Sequence, residues 1–179
     1  MTANPDTLKD DGLRLYREGD YAEAATRFDA ARGLYAGLGD RGLAGEMLNN
    51  MGLCYRGLKQ WEDAGRALEG ALAEFRQAQD RSREAQALGN LGALAESRGD
   101  RKRAAELYEQ AAALFAEVGD KENRAYTLKA LSTVQLKQGR HFEALATMDS
   151  SLTDAPRLSL QQRALRRLIQ WPMRRLAGK

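Results

Sequence analysis

The sequence predicts an all-α chain built as a stack of helix-turn-helix hairpins. Turn-forming pairs recur at even intervals: Gly19-Asp20, Gly39-Asp40, Lys59-Gln60, Gln79-Asp80, Gly99-Asp100, Gly119-Asp120 and Gly139-Arg140. The segments between them run for about 18 residues without a proline, which suits a helix. Alternate segments match each other, so the true period is two such intervals, a spacing of 40.

The elements follow from the turns. Glycine takes the left-handed conformation that ends a helix, and the aspartate beside it can cap the next one. Four units result, over 5–40, 41–80, 81–120 and 121–153, followed by a basic segment over 157–179. In the first helix of each unit Leu8, Leu48, Leu88 and Leu128 align, as do Gly12, Gly52, Gly92 and Ser132. In the second helix Ala24, Ala64, Ala104 and Ala144 align, then Phe28, Leu68, Tyr108 and Met148, then Ala31, Ala71, Ala111 and Ser151. Tyr35, Phe75 and Phe115 close the series. A glycine inside a helix costs roughly 1 kcal/mol relative to alanine. Its repetition at one place implies a notch that the large Phe28 series fills. Gly57, Gly65 and Gly70 fit neither role and predict a softer second unit.

Composition narrows the function classes. Of 179 residues, 43% are hydrophobic and 30% charged, enough apolar content for a core. The N-terminus lacks the basic-then-apolar order of a secretory signal. No apolar run approaches the ~20 residues of a membrane span. The lone Cys54 cannot form an internal disulfide and reads as a small core residue in a reduced, cytoplasmic setting. Arginine outnumbers lysine 21 to seven, which leans towards a GC-rich bacterial genome. No zinc spacing, phosphate-cradling loop or nucleophile–base pair is visible, so neither an enzyme nor a metal or cofactor is expected. His141 stands where Tyr21 and Trp61 stand in other units and reads as packing.

Charge is distributed unevenly. Residues 1–154 hold 21 bases and all 25 acids, a net −4; residues 155–179 hold seven bases and no acid. The seven are Arg157, Arg163, Arg166, Arg167, Arg174, Arg175 and Lys179. Asp154-Ala155-Pro156 marks a break. Beyond it Leu158, Leu165, Leu168, Ile169 and Trp171 form an apolar stripe, and Leu168 extends the series that ends at Leu128. The favoured reading is a helix capping the fourth unit, with the arginines outward. The alternative is a binding arm in which Arg163, Arg166, Arg167, Arg174 and Arg175 meet an acidic protein, an anionic membrane or nucleic acid.

The aligned positions resemble the tetratricopeptide repeat over about residues 5–153. The unit ALGNLGALAESRGDRKRAAELYEQAAALFAEVGD, residues 87–120, carries the resemblance best. The period is 40 rather than the common 34, and the usual proline is absent. This longer form is similar to repeats of kinesin light chains, Pins-type adaptors and many bacterial regulators. The resemblance implies a right-handed superhelix whose first helices line a concave groove. Candidates for that groove are Lys9, Asp10, Leu13, Tyr16 and Arg17 in the first unit, and Glu46, Asn49, Asn50, Leu53 and Arg56 in the second. The third offers Gln86, Asn90, Ala93 and Glu96, and the fourth Tyr126, Lys129, Thr133 and Lys137. Asn50 and Asn90 occupy one repeated position, and an amide there can donate to and accept from an extended peptide. The competing reading is that they face water or bond the neighbouring helix. A carboxylate clamp is disfavoured, because only Lys9 and Asn50 match its pattern while Leu13, Gln86 and Asn90 do not. The expected function is a scaffold that holds a protein or peptide segment. Nucleic acid or membrane is the less favoured partner, and self-association through the terminal faces is a further expectation.

Overall fold

A computed structural model describes residues 4–177, with side chains described as far as Gln170. Among them are nine α-helices and no strand: α1 Pro5–Glu18, α2 Tyr21–Gly37, α3 Arg41–Gly57, α4 Trp61–Gln77, α5 Arg81–Ser97, α6 Arg101–Glu117, α7 Lys121–Lys137, α8 His141–Asp154 and α9 Leu160–Ala177. Consecutive helices pack against each other all along the chain, from α1 on α2 to α8 on α9. The result is an all-α repeat stack.

The seven turns share one geometry. Gly19, Gly39, Gly99, Gly119 and Gly139 sit at φ between 75° and 92°, and Lys59 and Gln79 take the same left-handed shape at 60° and 55°. The residue after each donates its amide five positions back, as Asp40 does to the Tyr35 carbonyl and Asp120 to that of Phe115. Asp40, Asp80, Asp100 and Asp120 also cap the next helix through Oδ1; Asp20 makes no such bond.

The notches are filled as the alignment implies. A Cβ on Gly12 would stand 2.7 Å from the Phe28 ring, one on Gly52 2.5 Å from Leu68 Cγ, and one on Gly92 2.8 Å from the Tyr108 ring. Gly57, unexplained by the repeat, lies beneath Tyr21, whose ring carbons would be 2.8 Å from a Cβ. Gly70 faces Leu48 at 3.4 Å. Gly57 and Gly70 are therefore packing residues, whereas a Cβ on Gly65 would meet only Leu94 Cδ2 at 3.8 Å. Cys54 is fully buried, and burial pushes its thiol up to about 11. In the fourth unit Ser132 replaces the glycine, and its buried hydroxyl has no hydrogen-bond partner.

The last helix departs from the expected register. Leu168, aligned with the core leucines, is 71% exposed, whereas Ile169 is 4% exposed and seats α9 on α8. Arg166 Nε and Gln170 Nε2 donate to Asp149 at 3.4 and 3.1 Å. The cause lies in the sequence. Aligning α9 with α3, α5 and α7 puts Arg167 where Met47, Ala87 and Thr127 are buried, and Arg174 where Cys54, Leu94 and Val134 are buried. A guanidinium cannot occupy an apolar contact without a partner. The helix has rolled: Leu168 faces outward, while Leu165 borders a cavity shared with α7 and α8. The side chains of Trp171, Arg174 and Arg175 lie outside the described residues.

Candidate peptide-binding groove

The first helices of units two to four, α3, α5 and α7, line one side of the stack. Their side chains are tied across units. Asn90 Nδ2 donates to Asn49 Oδ1 at 2.8 Å, Arg83 Nη2 to Glu46 at 3.0 Å, and Lys137 Nζ to Glu96 at 2.7 Å. The asparagine and lysine pairs step one position beyond the repeat, so equivalent positions do not meet each other. A residue meets the successor of its equivalent.

Between the helices lies a recess of about 420 Å³. Of the expected groove residues it gathers Asn49, Leu53, Gln86, Asn90 and Tyr126. Gly89, Tyr108, Phe115, Asn123, Thr127 and Ala130 complete it, and the repeat alignment does not single them out as groove residues. None of the lining side chains is charged: the lining is amides, hydroxyls and aromatic rings with the aliphatic Leu53 and Ala130. Tyr126 stands 67% exposed at one edge. Burial, then the adjacent Glu96, pushes the Tyr108 phenol up to about 12, and its hydroxyl donates to Glu96 Oε2 at 3.3 Å. Tyr108 is therefore neutral and fixed.

The remaining expected residues sit elsewhere. Asn50 is half-buried and does not line the recess, although it is equivalent to Asn90. Arg56 does not line the recess; its charge partly offsets the upward push of burial on the Tyr16 and Tyr108 phenols. Lys129 lines a separate cavity of about 350 Å³ among α7, α8 and α9, which Tyr126 also borders. Arg163, Arg166 and Arg167 surround another of about 350 Å³ on α9. On the opposite side of the stack a recess of about 580 Å³ lies between α4 and α6, over Leu88, Leu91 and Leu94 of α5, with Arg76, Arg98 and Arg103 on its rim.

Asn90 therefore bonds the neighbouring helix, but that bond does not exhaust the amides. One contact leaves Asn49 Nδ2 and Asn90 Oδ1 available, a donor and an acceptor side by side. Gly89 adds room. A Cβ there would meet nothing within 4 Å, so no packing contact requires a glycine in the middle of α5. Among the described residues no group of His, Cys, Asp or Glu could hold a metal ion, and no helix is long and apolar enough to cross a membrane.

The tetratricopeptide repeat profile matches residues 43–117 and again 85–156, well over half of the chain. The chain belongs to the tetratricopeptide repeat family. Among solved structures it is similar to BtubC (BKLC) from P. vanneervenii, 23% identical with a TM-score of 0.75, over 88% of this chain and 70% of that one. It is also similar to a putative kinesin light chain from Podosopora anserina with nearly identical TPR-like repeats. That match is 16% identical with a TM-score of 0.68, over 99% of this chain and 96% of the other. At these identities the likeness is one of fold. No curated protein matches the sequence. Tetratricopeptide repeats are protein-interaction scaffolds in general and typically carry no catalytic site.

Proposed function

We propose that this chain holds an extended peptide segment of a partner protein in the recess lined by α3, α5 and α7. The uncharged floor carries the reading. Asn49 and Asn90 offer a donor and an acceptor to a peptide backbone, Gly89 lets that backbone approach, and Leu53 and Tyr126 flank the path. The charges at the rim are largely paired internally, through Glu46–Arg83 and Glu96–Lys137, so they set the edge rather than the affinity. The body's net −4 favours a segment without excess acid. The single free thiol, buried and unreactive, supports work in a reducing cytoplasm.

The test begins with peptides selected from a display library on the full chain, then titrated against Asn90→Ala and Tyr126→Ala by fluorescence polarisation. Each substitution should weaken binding by about tenfold, the worth of one or two hydrogen bonds or one aromatic contact. Asn90→Ala also removes the bond to Asn49, so its melting temperature should fall slightly while that of Tyr126→Ala stays put. Selected peptides that bind both variants as tightly as the parent would place the site elsewhere.

A further inference from the structure

The roll of α9 leaves an unusual surface. In the second unit, the positions equivalent to Leu165 and Leu168 are Gly45 and Leu48, which face Phe75 and Gly70 of the following helix. In α9 Leu165 borders the cavity beside α7 and α8, 43% exposed, but Leu168 is 71% exposed. Leu160, 82% exposed, and Ala164 stand on the same side, because positions four apart stack on a helix. Arg163 and Arg167 border this apolar row, and with Arg166 they ring the cavity on the adjoining side. The segment from 155 to 179 contains no acid to offset its seven bases.

An exposed row of Leu160, Ala164 and Leu168 beside Arg163 and Arg167 is the pattern of a helix that lies in a membrane interface. We infer that α9 docks the protein on an anionic lipid bilayer, with Leu160 and Leu168 in the acyl boundary and Arg163 and Arg167 among the headgroups. Charge complementarity selects the surface: the tail at +7 is drawn to it, and the body at −4 is held off, which orients the stack away from the lipid. Shape selects a bilayer over an acidic protein. The leucines form a ridge, which a protein could accept only with a matching groove, whereas a bilayer accepts a ridge as it stands. Nucleic acid would engage the arginines and leave the leucines in water.

Sedimentation of the full chain with vesicles tests this. One set is phosphatidylcholine alone and the other contains phosphatidylserine. The chain should pellet with the anionic vesicles and stay in solution with the neutral ones. Leu160→Ser with Leu168→Ser, and separately Arg163→Gln with Arg167→Gln, should each reduce binding by about tenfold or more. All four positions are exposed, so the fold is expected to survive, checked by circular dichroism. No binding, or equal binding to both vesicle types, overturns the proposal. Loss with the arginine pair but not the leucine pair also overturns it and points to a soluble polyanion. Pelleting without vesicles would mean self-association and overturns it too. Groove-selected peptides should bind both double variants normally, which separates this result from the groove reading.

Discussion

Gly52→Ala should destabilise the protein even though alanine is the better helix former. The new methyl would sit 2.5 Å from Leu68 Cγ and 3.3 Å from the Ala64 carbonyl. Leu68 is fully buried and cannot swing away, and the carbonyl belongs to a helix backbone. Overpacking of this kind costs about 1–3 kcal/mol. The gain in helix propensity returns about 1 kcal/mol. With a backbone atom in the way the upper part of the range applies, leaving a net loss of about 1–2 kcal/mol. Gly33→Ala is the matched control, since nothing lies within 4 Å of its Cβ position; it should gain about 0.5–1 kcal/mol. For a chain of this size the melting temperature moves about 2–4 °C per kcal/mol. Urea unfolding followed by circular dichroism measures both. Truncating Leu68 to alanine should cost less in the Gly52→Ala background than in the parent, the signature of a shared contact. If Gly52→Ala stabilises the chain as Gly33→Ala does, the notch-and-filler account of the repeat is wrong.

Other outcomes follow from single sites. Lys59 holds φ 60° at a turn where five equivalent residues are glycine, so Lys59→Gly should stabilise by about 1 kcal/mol in the same urea assay. Glu84 is buried between Arg76 at 2.8 Å and Arg81 at 2.9 Å. Burial alone would raise its carboxyl, but the two guanidinium groups outweigh it and hold it below the usual value. A carboxylate lowered in the folded state adds stability that is complete above its unfolded value of about 4.3 and is lost as pH falls through the lowered one. Glu84→Gln should therefore cost about 1–3 kcal/mol at neutral pH, and the difference from the parent should shrink as unfolding is measured below about pH 4.

The repeat was legible because it is written in residue size. Gly12, Gly52 and Gly92 are local partners of Phe28, Leu68 and Tyr108, and both members of each pair belong to one hairpin. Contacts between units are harder to read. Alignment ranks Asn50 with Asn90, yet Asn90 meets Asn49, because the groove helices pair one position out of step with the repeat. Equivalence in sequence therefore does not name a neighbour in space. Gly57 escapes the alignment for the same reason: Tyr21, its partner, belongs to the preceding unit. In α9 the leucine lattice and the arginines make opposite demands. Leu168 on the lattice argues for burial, but Arg167 occupies a position buried in units two to four, and the cost of burying that charge turns the helix over.

A peptide lying in the uncharged recess between α3, α5 and α7 would be seen by amide and side-chain NMR of the ¹⁵N-labelled chain, titrated with a display-selected peptide. The largest shifts should cluster on Asn49, Gln86, Gly89, Asn90 and Tyr126, and Gly89→Leu, which fills the open space at that glycine, should abolish them. Shifts centred on Leu88, Leu91 and Leu94 beneath α4 and α6, with the recess residues unmoved, would contradict the groove reading.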